Sequence, residues 1–439
     1  MNSNMHHSNQ YEFDIIVYGM QIYKIEKLPY GGLYGNATRA FGLANNFAKI
    51  GFKTALVVQK GFSFQPSSCL CKSLQFIEEP EFYEIVEKSR NLVLAFTNFN
   101  SFELNFKGNP FVRHPNKFCV CCFDGSISGN LMDEIYGITF NNSIQKKLWD
   151  ERKTQIPSHV VSYGVNEFGD VDEDIKEVVN NSAIWIGEIR RRDMFERIIN
   201  FAVANPGCRV DVMTRKIFDR DLPPDSYGGV NRPYADFRNG DPSHRFYALA
   251  EELFGRKMPA NLRYLGMQEG KNHETMGAHT IGLDFSRFPY QRHDNSKILD
   301  YLRSGLAVIC DDGAPSYRYV HEFQHGRILP CKHTIEDLQK AFAACESITS
   351  CKNRRKIAQQ VRERYGWDKI TLKIARLMKE DEECRHLIAR RRNRHHVTLR
   401  LFRLLEKIKR GEYRSLSPVF RLLQKASRNL RKFRIRDSK

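Results

Sequence analysis

Two stretches of this chain repeat one order of elements, and that repeat limits the fold more than any other feature. Phe13-Asp14-Ile15-Ile16-Val17-Tyr18-Gly19 is a largely apolar run ending at glycine, the pattern of a buried strand. A glycine-containing loop follows, Pro29-Tyr30-Gly31-Gly32-Leu33-Tyr34-Gly35-Asn36. Ala40, Leu43, Ala44, Phe47 and Ala48 then recur at helical spacing, Gly51 closes that helix, and Thr54–Val58 is the next strand. The order restarts after the acidic stretch Asp170–Glu177. Ala183–Gly187 reads as a strand, Arg192–Ala204 as a helix with apolar Met194, Phe195, Ile198, Ile199 and Phe201, and Arg209–Met213 as a strand. A β–loop–α–β unit that begins twice predicts an α/β protein of two Rossmann-like domains facing a cleft.

The rest of the chain fits that frame. Leu92–Phe96 and Phe118–Phe123 read as further strands of the first half, and His159–Val165 as another strand and turn. Leu262–Gly266, Thr280–Asp284 and Ala307–Cys310 complete the second sheet, and Ile335–Cys345 and Arg354–Tyr365 are closing helices. Thr139–Arg152 reads as helical, and Phe218–Asp241, rich in Pro, Gly and Asp, as a long excursion. The 439 residues are enough for two or three domains. The expected division is 1–168, 169–365, a crossing segment 366–384 that returns to the first domain, and a tail 385–439.

Charge separates the tail from the body. Residues 385–439 hold 19 Lys and Arg against Glu406, Glu412 and Asp437, so they carry +16 of the net +18 and leave a nearly neutral body. Val397, Leu401, Leu404, Leu405 and Ile408, then Val419, Leu422, Leu423, Ala426, Leu430 and Phe433, recur at helical spacing between these cations. Basic amphipathic helices of this kind lie on anionic lipid. A nucleic-acid-binding arm is the rival reading, but no reader motif accompanies it, and nucleic acid is not an expected partner. No run approaches 18 apolar residues, which predicts no membrane-spanning helix. The polar first ten residues do not read as a secretory leader. Several of the 11 cysteines sit inside apolar runs such as Phe118–Phe123, as buried reduced thiols do, and their spacings are not those of a zinc module.

The most informative stretch is Asp294-Asn295-Ser296-Lys297-Ile298-Leu299-Asp300-Tyr301-Leu302-Arg303-Ser304-Gly305, followed by the strand Leu306–Ile309. Lys297 stands in the first turn of a helix, where the dipole disfavours a cation by roughly 0.3–1 kcal/mol. A bound anion would offset that cost, so Lys297 is a candidate phosphate ligand and Asp300 a candidate ribose ligand.

This stretch resembles the S-K-x-x-[DE]-Y-x-x-x-G-x-P-V-[IV] segment of the GT-B glycosyltransferases. Similar matches flank it. Trp185-Ile186-Gly187-Glu188-Ile189-Arg190 resembles the strand and turn opening the C-terminal domain, and Arg263-Tyr264-Leu265-Gly266 the strand before the donor loop. His325–Leu329 and Tyr365-Gly366-Trp367 resemble the last strand and the helix that crosses back, and His159–Val165 resembles the interdomain linker. The resemblance covers roughly residues 13–380. It implies a nucleotide-sugar donor in the C-terminal domain and an acceptor in the N-terminal one. It places Gly187, Gly266, Met267, Tyr290, Ser296, Lys297 and Asp300 at the donor, with Gly32 beneath the diphosphate. Retaining relatives carry two glutamates eight positions apart. Asp300 matches the second, but Arg292 stands at the first, and the pattern is also similar to bacterial inverting glucuronosyltransferases of exopolysaccharide synthesis, which lack the pair.

Two residues are expected to carry the chemistry. Arg191, in Arg190-Arg191-Arg192, would stabilise charge on the leaving diphosphate without a metal, so no cofactor is expected. Asp124, after the strand Phe118–Phe123, would take the acceptor proton, with Asp14 and Asp284 as weaker rivals. The expected reaction moves a hexosyl or glycuronosyl group to a lipid-linked or polysaccharide acceptor. The expected location is the cytoplasmic face of a membrane. A nucleotide-sugar epimerase of the same fold is the alternative enzyme.

Overall fold

The computed structural model describes residues 12–19, 35–58, 70–89, 92–97, 114, 116–122, 135–152, 156–165, 178, 181–189, 191–214, 216–217, 235–236, 242–255, 258–266, 272–286 and 294–383. Residues up to Met378 form one compact unit, and Lys379 begins another. The first unit carries two parallel sheets.

The first sheet contains β1 (Ile15–Tyr18), β2 (Thr54–Val58), β3 (Gln75–Glu78), β4 (Val93–Thr97), β5 (Lys117–Cys122), β6 (Ile135–Phe140) and β7 (Ser158–Val160), in the spatial order β3-β2-β1-β4-β5-β6-β7. The second contains β8 (Ser182–Ile186), β9 (Arg209–Met213), β12 (Leu262–Tyr264), β13 (Ile281–Asp284), β14 (Ala307–Asp311) and β15 (Gly326–Leu329), in the order β12-β9-β8-β13-β14-β15. Each sheet starts in its middle and grows first to one side, then to the other. The switch points fall between β1 and β4 and between β8 and β13, and Rossmann-type sheets bind ligands at the carboxyl ends of the strands there. A short antiparallel pair joins β10 (Lys216–Ile217), just before the segment read as an excursion, to β11 (Ala235–Asp236) within it.

Apolar stripes explain the helices. In α1 (Gly35–Lys49), Ala40, Leu43, Ala44, Phe47 and Ala48 are all buried, as their spacing predicts. Gly51, at φ 100°, ends the turn that follows it. Beyond α2 (Glu79–Lys88) and α3 (Ser143–Asp150), α4 (Arg192–Ala204) buries Met194, Phe195, Ile198, Ile199 and Phe201. After α5 (Pro242–Phe254) and α6 (Asn272–Gly277) come α7 (Lys297–Arg303) and α8 (Tyr317–Phe323). The last of these elements are α9 (Ile335–Glu346), α10 (Cys351–Tyr365) and a helix α11 over residues 367–383.

One reading is corrected. Thr139 and Phe140 belong to β6, and the helix begins only at Ser143. Asn142 causes the break, because its side chain accepts the Gln145 N–H at 2.9 Å and caps α3. The strand β3 and helix α2 had no counterpart in the sequence reading. The edge strand β3 is only partly buried, so it lacks the apolar run that marked the central strands.

Residues 365–367 join the end of the first half. Val165 N–H donates to Tyr365 O at 2.8 Å, and Trp367 N–H returns a bond to Val165 O at 3.0 Å. The Trp367 indole packs against Gly42 on α1 and Gly164 before Val165. A Cβ at either glycine would stand 2.6 Å or 2.3 Å from the ring, so only glycine admits the indole. Cys119, Cys208, Cys310 and Cys345 are buried free thiols, and burial pushes Cys208 and Cys345 up to about 12. No helix among the described residues is long and apolar enough to cross a membrane.

Candidate functional site

The second sheet's switch point gathers several predicted residues. β8 delivers Trp185 and then Gly187, whose φ of 103° suits glycine. β13 delivers Asp284 and then Ser286, both buried. Lys297 reaches across both strand ends. Its Nζ donates to Ser286 Oγ at 3.0 Å, lies 3.8 Å from Asp284 Oδ1 and stands 4.0 Å from the centre of the Trp185 ring. Its side chain is only 15% exposed, so it is not a solvated surface cation. Gly187 makes room for it, since a Cβ there would lie 2.9 Å from Lys297 Cε.

The turn before Lys297 is held from below. Asn295 Nδ2 donates to Asp284 Oδ2 at 3.0 Å, and the Lys297 N–H donates to Asn295 Oδ1 at 3.1 Å. The Ser286 N–H donates to Asp284 Oδ1 at 3.3 Å. Tyr301, one turn further along α7, donates its hydroxyl proton to Leu283 O at 3.1 Å and accepts the Ile186 N–H at 2.9 Å. Burial, followed by the charge on Asp284, raises this phenol well above its ordinary value, so it stays a donor. One phenol thus ties α7 to the ends of both central strands.

The remaining donor-site candidates spread along the same edge. Ser296 precedes α7, and its carbonyl accepts the Asp300 N–H at 2.9 Å; its side chain makes no capping bond. Asp300 is half-buried in the first turn. Gly266, at φ 65°, follows β12 at the sheet's outer edge, two strands from β8. Arg191 caps the start of α4 with extended backbone, and its Nε donates to Asp193 Oδ1 at 2.7 Å. Gly32, Asp124, Met267, Tyr290, Arg190, Arg292 and the tail 385–439 lie outside the described residues.

Of the rival bases, Asp14 stands at the amino end of β1, away from the ligand edge, where its Oδ2 accepts the Lys53 N–H at 2.8 Å. Asp284 is at the correct end of its strand but is 2% exposed and occupied by Asn295, Ser286 and Lys297. The sequence reading missed Ser286 and Asn295. The signal available was a polar pair after a buried strand and a polar residue before Lys297, which also describes an ordinary turn. Among the described residues, no cluster of His, Cys, Asp and Glu could hold a metal ion.

No protein-family model matches this chain, and no curated protein matches its sequence. Solved structures do match. AviGT4, a glycosyltransferase involved in avilamycin A biosynthesis, superposes with a TM-score of 0.56 at 10% identity, covering 84% of this chain and 97% of that one. HepE of Anabaena, solved in complex with UDP-glucose, gives 0.53 at 11% identity over 84% of this chain and 100% of that one. A glycosyltransferase from Rickettsia africae gives 0.51 at 13% identity over 84% and 99%. With two parallel sheets, a central switch point in each and a crossing helix at Trp367, the chain has the two-domain GT-B fold that these glycosyltransferases share.

Proposed function

We propose that this protein is a glycosyltransferase that takes its sugar from a nucleoside-diphosphate sugar. The observation that carries the reading is the Lys297 ammonium, held at the switch point of the second sheet beside a glycine with left-handed backbone. A cation fixed at the carboxyl ends of parallel strands suits a diphosphate, and Asp284 helps hold it in place before any ligand arrives. On this reading residues 169–365 hold the donor, with Gly187, Gly266, Met267, Tyr290, Ser296 and Asp300 around it. Residues 1–168 hold the acceptor over Gly32. Arg191 stabilises the departing diphosphate, and Asp124 takes the acceptor hydroxyl proton. The 19 basic residues after Cys384 favour an acceptor at an anionic membrane surface, a lipid-linked sugar or a growing polysaccharide on the cytoplasmic side. The sugar moved is a hexose or a glycuronic acid.

A thermal-shift screen against UDP, GDP, dTDP, CDP and their sugars tests this, because a ligand of the folded state raises the melting temperature by mass action. One nucleotide family should stabilise the protein selectively. Lys297→Met should lose that shift while remaining folded. A wild type that none of these compounds stabilises would sink the reading.

A further inference from the structure

The Lys297 turn is bound to the first sheet through a buried polar joint. Asp294 opens that turn and is fully buried. Arg318 on α8 grips its carboxylate with both terminal nitrogens, Nη1 at 2.6 Å from Oδ1 and Nη2 on Oδ2. Tyr319 Oη donates to the same carboxylate at 3.2 Å. From the first half of the chain, Asn142 Nδ2 donates to Asp294 Oδ1 at 3.3 Å, and Tyr163 Oη donates to the Asp294 carbonyl at 3.1 Å. The Arg318 guanidinium crosses the joint itself, donating from Nη2 to Asn141 O at 3.0 Å. Asn141 and Asn142 stand at the carboxyl end of β6, the ligand edge of the first sheet.

Stability alone does not explain this ion pair, whose Asp294 carboxylate is fully buried while Arg318 is part-exposed. Desolvation offsets most of its attraction, and well-packed apolar groups in its place are often no worse. Direction is what it supplies. A planar guanidinium bound to a carboxylate on one side and a carbonyl on the other fixes angles that apolar contacts leave free. Next to Asp294, Asn295 binds both Asp284 and the Lys297 N–H, so the turn is held within the second half and the joint at Asp294 sets where that turn stands relative to the first sheet.

We propose that Arg318 is a positioning residue that locks the Lys297 turn to the carboxyl edge of the first sheet and so holds the two halves of the site in one alignment. Its catalytic consequence rests on the transferase reading. Acceptor and donor are bound by different halves, and a misplacement of about 1 Å between reacting groups can reduce the rate by about 10²-fold. The alignment itself does not depend on what the site binds.

The test reads alignment and ligand binding separately. Genetically encoded spin labels at the exposed residues Lys88 on α2 and Glu336 on α9 report the distance between the halves by pulsed electron resonance, with native cysteines untouched. The ligand-free wild type should give one narrow distribution. Arg318→Met should broaden it or add a second distance at temperatures where circular dichroism shows the variant folded. Arg318→Lys should recover it only in part, because an ammonium cannot reach the carboxylate and the Asn141 carbonyl in the same fork. In the second arm, whichever of UDP, GDP, dTDP or CDP binds the wild type should bind Arg318→Met with nearly unchanged affinity, since the Lys297 network lies within the second half. Lys297→Met should lose it. An unchanged distance distribution in folded Arg318→Met overturns the proposal. So does a loss of nucleotide affinity equal to that of Lys297→Met, which would place Arg318 in the nucleotide site. Failure of the wild type to bind any of the four nucleotides sinks the transferase reading alone, and the distance measurement still decides the role of Arg318.

Discussion

A Cβ on Gly187 would stand 2.9 Å from Lys297 Cε, so the smallest side chain in the protein and the cation at the switch point occupy adjoining space. Gly187 also has φ 103°, where an L-residue is strained by about 1–3 kcal/mol. Gly187→Ala should therefore lower stability by about that amount and push the ammonium off the Trp185 ring. Isothermal titration with the nucleotide that best stabilises the wild type should show an affinity loss of about tenfold or more, the effect of misplacing one charge-assisted contact. A folded Gly187→Ala variant with wild-type affinity would show that Lys297 is not where the phosphates bind.

Arg354 on α10 is fully buried and works on the other end of the same helix. Its Nε donates to Gly305 O at 3.1 Å, and its Nη2 to Gly277 O at 2.7 Å, His279 O at 2.9 Å and Ser304 O at 3.4 Å. These are carbonyls at the carboxyl ends of α6 and α7, where a cation is favoured by the dipole. Burial pulls the guanidinium down to about 10, still charged near neutral pH. Arg354→Met removes the guanidinium donors from those carbonyls and should destabilise the protein by about 3 kcal/mol, measured by urea unfolding. A loss below about 0.5 kcal/mol would mean the carbonyls find other partners.

His325, just before β15, is 3% exposed. Burial lowers it from 6.5 to about 4, and the Arg354 charge acts in the same direction. His273 is lowered too, by burial and then by Arg303. The unfolded chain takes up these protons near pH 6.5, whereas folded His325 resists until about pH 4. Stability contributed by neutral His325 is thus complete above pH 6.5, falls as the pH drops, and levels off below about 4. The loss attributable to His325 is of the order of 3 kcal/mol. His325→Gln should flatten the fall between pH 7 and 4.5 in denaturant titrations, with the part due to His273 remaining. An unchanged slope would show that His325 does not titrate on unfolding in this range.

A chain ending at Cys384 should retain nucleotide binding and lose its affinity for vesicles of anionic lipid. The motive is the charge count, 19 basic residues in the segment removed. Apolar residues recur among those cations, so the full chain should keep part of its vesicle binding at high salt, where screening weakens ionic contacts and leaves apolar burial. Co-sedimentation of both chains at low and high salt checks this. Equal binding by the two would assign membrane contact to the body.

The sequence by itself determined the elements that lie deepest. Ile15–Val17, Thr54–Val58, Ala183–Trp185 and Ala307–Ile309 are buried on both faces, so nearly every position had to be apolar, and the pattern is readable without coordinates. It also determined the helix of Lys297 with Gly305 at its end, and the charge division at residue 385, because caps and counts are local. Tertiary structure decided the rest. The order of strands in each sheet depends on which edge a crossover packs against, and no single segment records that choice. The start of α3 is set locally, by the Gln145 N–H donating to the Asn142 side chain, whereas the edge strand β3 depends on neighbours that cover only one side of it. Lys297 reads alike in sequence whether it is solvated or bound. Its contacts with Trp185, Asp284 and Ser286 exist because the parallel pairing of β8 with β13 brings their ends together. The Asn142–Asp294 bond spans 152 residues, and only the closing of the two halves on each other could place that amide beside that carboxylate.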